Sequence, residues 1–189
     1  MTTDQFELRG KALEEEFFTK QNAKLKAALQ RKLRDDEASA ALATAAGITD
    51  EAVLHLMLEA GLSPQTGAAF ALLPLILTAW ADGKLDDAER QAVLDAAREE
   101  SGITADSPAH DMLVHWLAAP PPRKLWRVWR EYASALAQNL DANAKQVFKD
   151  SVIGRAERVA AASGGILGLG KRISKPEREL LDELAAMLD

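Results

Sequence analysis

One stretch limits what this chain can become. Phe70 to Trp80 reads Phe-Ala-Leu-Leu-Pro-Leu-Ile-Leu-Thr-Ala-Trp, and only Thr78 interrupts its apolar character. A segment that is apolar on every side must be covered on every side, yet it falls short of the roughly 20 residues needed to cross a bilayer. It therefore predicts a buried central helix. Pro74 should kink it, because the ring removes a donor and crowds the carbonyl one turn earlier. Asp82-Gly83 ends the helix, with Gly83 free to take the left-handed conformation. Asp86 or Asp87 then caps a second helix, and Glu89 stands three residues after Asp86, the spacing of a capping box.

The acids at this corner admit two readings. Asp82, Asp86, Asp87 and Glu89 can bring carboxylates to one helix junction, and a hard divalent cation such as calcium or magnesium favours oxygen ligands. Asp, Gly, a hydrophobic residue, Asp and Glu also match the second half of a calcium-binding loop. Thr78 and Trp80 stand where the carboxylates of the first half would be. The other reading is structural: the same acids cap a helix and favour its positive end.

A long apolar helix ending in Ala79-x-Ala81-Asp82-Gly83-x-Leu85-x-x-x-Glu89-Arg90 resembles the TerB-like family, the tellurite-resistance proteins and their related domains. A degenerate copy, Leu167-Gly168-Leu169-Gly170-Lys171-Arg172-Ile173-Ser174-Lys175-Pro176-Glu177-Arg178, fits that family's use of a similar helix–turn–helix twice. The resemblance covers about residues 47–189. It implies an all-helical bundle, acidic residues that bind metal, and roles in stress response or protein scaffolding. The second corner departs from the pattern. It carries Gly168, Gly170, Lys171 and Ser174 where the first carries acids, so a cation would rest on the first corner alone.

Composition narrows the chemistry. The chain of 189 residues holds no cysteine, which excludes disulfides, zinc–thiolate sites, iron–sulfur clusters and thiol catalysis. A net charge of −6 argues against a general nucleic-acid binder. The first residues, Met-Thr-Thr-Asp-Gln-Phe-Glu, lack a basic segment followed by an apolar one, so a cytoplasmic location without membrane insertion is expected.

The expected architecture is all-α: an N-terminal helical extension over residues 1–46 and a compact helical domain over residues 47–189. From Asp4 to about Ala46 the residues are strong helix formers. Leu13, Phe17, Leu25, Leu29 and Leu33 make an intermittent apolar stripe, and Glu14 to Glu16 precede a basic run from Lys20 to Arg34. That stripe can pack on the bundle, on a second copy or on a partner. Helices are further predicted over about 50–60, 87–100, 108–118, 123–139 and 142–163, and from Ser174, where Glu177 completes a second capping box. Within 142–163, Val147, Phe148, Val152, Ala156, Val159 and Ala160 are read as the inner face, with Gly154 allowing close approach. Pro120-Pro121-Pro122 is the clearest break. The run from Arg123 to Arg130 interleaves Trp126 and Trp129 with bases, which suits an acidic partner or, more simply, an amphipathic helix with wet arginines. Asp111 and His115 share a face but lack a third ligand, and they read with His55 as an ion pair or packed histidines. The glycines from Gly164 to Gly170 lack the Lys-Ser/Thr ending of a phosphate loop.

The function expected from these residues is a non-enzymatic helical binding or scaffold module, with a protein partner and with self-association through the first helix as a further option. Two alternatives use the same residues. One is a metal-assisted hydrolase at Asp82, Asp86, Asp87 and Glu89. The other is an adaptor that presents Arg123 to Arg130 and the basic part of the first helix to an anionic membrane or nucleic acid.

Overall fold

A computed structural model describes the backbone of residues 3–162 and 173–189, and the side chains of residues 20–162 and 173–189. The glycine-rich run and the first residues of the second corner lie outside the described residues. The rest is helical throughout. The elements are α1 (Thr3–Ala46), α2 (Glu51–Glu59), α3 (Gly67–Ala71), α4 (Leu73–Ala79), α5 (Asp87–Ser101), α6 (Pro108–Ala118), α7 (Arg123–Gln138), α8 (Ala142–Ala160) and α9 (Lys175–Met187). No single helix among the described residues is long and apolar enough to cross a membrane.

Contacts divide the chain into two units, Met1–Ala40 and Ala41–Asp189. The first is helix alone, and every residue from Lys20 to Glu37 is exposed. The second contains the core. Its boundary falls inside α1, because the last turns of that helix belong to the core: Leu42 is completely buried there.

In the second unit α4 is the central rod. Leu73, Leu75, Ile76, Thr78 and Ala79 are all buried, and α4 packs against α8, α9, α5 and α7. A helix surrounded in this way needs apolar residues at every position, which is why Phe70–Trp80 shows no polar face. The one polar side chain within it is satisfied locally: the Thr78 hydroxyl donates to the Pro74 carbonyl at 2.9 Å. Pro74 does more than kink the segment. The helix stops at Leu72 (φ −89°, ψ 2°) and restarts with Pro74 in its first turn. A proline in a first turn needs no donor partner, so a restart just upstream of the ring leaves no helix hydrogen bond missing.

The remaining helices bury the stripes read from their spacing, with exceptions. In α7, Leu125, Val128, Trp129 and Tyr132 are buried, and in α9 so are Leu181 and Leu184. In α8, Val152, Ala156, Val159 and Ala160 are buried, but Val147 is 61% exposed, and a Cβ placed on Gly154 meets nothing within 4 Å. Phe148 is half-buried against the core, so the inner face of α8 leaves out Val147 alone, and Gly154 is not a close-approach glycine. Neither His55 nor His115 is packed in the core, and of the two readings it is the ion pair that fits His55. His55 faces solvent beside Glu59 at 3.1 Å, and Asp111 and His115 are both exposed.

Gly83 ends the turn after α4 with φ 86°, and a Cβ there meets nothing within 4 Å. The cost of Gly83→Ala is thus backbone strain alone, about 1 kcal/mol of unfolding free energy. Urea denaturation of the variant reads it directly. A neutral result would show that the turn relaxes.

Candidate functional site

The corner that joins α4 to α5 is built from local hydrogen bonds. The Asp82 side chain accepts from the Lys84 backbone N–H at 2.9 Å, forming an Asx turn that carries the chain past Gly83. The Asp86 carboxylate accepts from the Glu89 N–H at 2.8 Å, and the Glu89 carboxylate accepts from the Asp86 N–H at 3.0 Å. That is a complete capping box on α5. Asp82 and Asp87 are exposed, whereas Glu89 is only 5% exposed.

The start of α9 repeats the device. The Ser174 N–H donates to the Glu177 carboxylate at 2.6 Å, and the Glu177 N–H donates to the Ser174 hydroxyl at 3.4 Å. Glu177 is 3% exposed. The two capping glutamates, far apart in sequence, lie near enough in the folded unit for Glu177 to raise the Glu89 carboxyl. Burial pushes the Glu89 carboxyl up from its ordinary 4.5 to about 7, and the neighbouring Asp86 and Glu177 add to the rise. The Asp86 backbone N–H, which stabilises the charged form, pulls the other way. The corner is therefore a clasp between two helix starts, in which two buried capping glutamates are neighbours.

Three of the four acids expected to hold a divalent cation serve the turn and the cap here. Asp82, Asp86 and Glu89 each accept a backbone N–H of the corner, and Asp87 stands in solvent in the first turn of α5. A hard cation takes six or more oxygen ligands in the calcium case and keeps several waters in the magnesium case. Among the described residues, no group of three or more carboxylates and imidazoles comes together to hold one. The residue that sequence reasoning missed is Glu177 as the partner of Glu89. The signal was present, since both glutamates occupy the same place in their capping boxes, but their meeting depends on how α5 and α9 are docked.

A second feature lies between α4, α7 and α9. A cleft of about 640 Å³ opens there, with Leu77, Pro121, Trp126 and Leu180 among its apolar lining. Arg123 and Arg130 line it from α7, and Glu179 and Glu183 from α9. Trp126 stacks on the buried Trp129 with ring centroids 5.6 Å apart and planes 10° apart. Its indole N–H donates to Glu183 at 3.4 Å. Arg123 and Arg130 form no ion pair with any described residue. The amphipathic reading of α7 thus holds for its inner face, while its outer edge forms one wall of a cleft. No family model, no curated protein and no solved structure matches this chain.

Proposed function

We propose that this protein is a non-catalytic helical binding module of the TerB-like kind, whose cleft between α4, α7 and α9 takes a segment of a partner protein. The observation that carries the reading is the cleft itself. An indole, two prolines and leucines offer an apolar anchor site, and two arginines without ion pairs among the described residues stand beside it. Aromatic and arginine side chains around a desolvated hollow are the usual makings of a binding hot spot. The facing glutamates add a second charge, which favours a peptide with an apolar anchor flanked by an acid toward α7 and a base toward α9. The duplicated, glutamate-clasped corner supports the TerB-like part, because it repeats one local design at two helix starts.

The test uses a photo-crosslinking residue placed in the cleft at Glu179, and in parallel at Glu59 on α2. Crosslinking in the source cells is expected to capture a defined protein from the cleft position only. Capture is expected to fall roughly tenfold when Arg123 and Arg130 are both replaced by glutamate. The same captures from both positions, or capture indifferent to the arginines, would overturn the reading.

A further inference from the structure

The helix of the first unit carries a feature that the cleft does not explain. From Lys20 to Arg34 it holds six bases, Lys20, Lys24, Lys26, Arg31, Lys32 and Arg34, and no acid, in a chain whose net charge is −6. Within the same stretch Leu25, Leu29 and Leu33 are 70%, 57% and 54% exposed. Residues four apart climb one face of a helix, so the three leucines form a continuous ridge. Lys26 and Lys32 flank that ridge, each one residue from a leucine of it, while Lys24 and Arg31 lie round the other side. Asp35, Asp36 and Glu37 close the basic stretch at its C-terminal end.

A helix exposed on every side gains nothing from packing, and solitary helices are marginal in water. The leucine ridge therefore calls for an apolar cover, and the charge selects which one. A second copy of this helix is disfavoured. A second copy would bring six more bases to the seam, with no acid between Lys20 and Arg34 to pair them, whichever way the helices run. A parallel pairing aligns every base with itself. Nucleic acid would neutralise the bases but leave the leucines in water. A bilayer surface of anionic phospholipid satisfies both. The leucines enter the acyl boundary, the flanking lysines extend their stems to the headgroups, and the remaining bases sense the surface potential.

We propose that residues 20–34 of α1 bind the surface of an anionic phospholipid bilayer, lying in its plane with Leu25, Leu29 and Leu33 inserted. This is attachment at an interface and does not require a spanning segment. It is independent of the cleft.

The full-length protein is tested by flotation with phosphatidylcholine vesicles, with and without about one third phosphatidylglycerol. Binding is expected to the anionic vesicles, falling at least roughly tenfold between about 0.05 M and 0.3 M salt. The triple variant L25Q/L29Q/L33Q should lose roughly a hundredfold in affinity while the bundle keeps its unfolding midpoint. The absence of native cysteine permits a direct reading of the inserted face. An environment-sensitive dye on Leu29→Cys should shift to the blue on binding, and the same dye on Arg31→Cys, about 200° round the helix, should not. Equal binding to neutral vesicles, no binding at low salt, or equal dye shifts at both positions would overturn the proposal. So would a duplex DNA that binds as tightly with the leucines replaced and displaces the vesicles.

Discussion

Replacing Glu89 with glutamine is expected to stabilise the protein by up to about 3 kcal/mol near pH 8, and to change little near pH 4.5. The carboxyl of Glu89 titrates at about 7 in the folded chain against an ordinary 4.5. Below 4.5 it is protonated folded or unfolded, and contributes no pH dependence. As pH rises from 4.5 toward 7 the unfolded chain releases this proton while the folded chain retains it. The folded state then binds more protons, so stability falls with rising pH across that window and levels off above it. Glutamine removes the penalty. It still accepts the Asp86 N–H through its carbonyl oxygen, and it sets no charge beside Glu177. Urea midpoints of the two proteins measured across the window should diverge from 4.5 upward. Adding Glu177→Gln should contribute much less than the first substitution, because the shared repulsion is already gone. A native protein whose stability relative to Glu89→Gln rises with pH would refute the clasp.

Trp129→Ala is expected to cost about 3–5 kcal/mol, a large part of the 5–15 kcal/mol that holds a typical domain folded. Trp129 is fully buried in the core of the second unit and supports the stacked face of Trp126. Removing it leaves a cavity under the wall of the cleft. Trp129→Phe should cost far less, below about 2 kcal/mol. The Trp129 indole N–H is buried without a hydrogen-bond partner among the described residues. Phenylalanine loses part of the ring but also discards that unsatisfied donor, whose burial costs roughly 1–3 kcal/mol. Denaturant unfolding of both variants separates the two terms. Equal losses would show that the indole nitrogen is satisfied in solution. In the alanine variant the cleft should loosen, since Trp126 loses the surface on which it stacks.

Much of the local structure was legible in the residues. The capping boxes Asp86–Glu89 and Ser174–Glu177 span only three residues, so their hydrogen bonds are dictated by spacing and side-chain type. The central helix was legible for a related reason: a segment with no polar face can only be interior. The position of its break was less so. Whether Pro74 bends one helix or begins a new one depends on neighbours that reward the restart. The four acids show the limit most clearly. Their types suit a cation as well as a cap, and spacing alone cannot rank the two uses. The folded backbone shows the capping use, with an N–H donated to each of Asp82, Asp86 and Glu89.

The sequence by itself determined that the chain is helical, where most helices begin, and which stripes turn inward, because these follow from interactions within a few residues. Only the tertiary structure decided that Glu89 neighbours Glu177 and that α7 walls a cleft with α9. Those outcomes depend on how separate helices dock, and docking is set by the summed packing of many side chains rather than by any local run of residues.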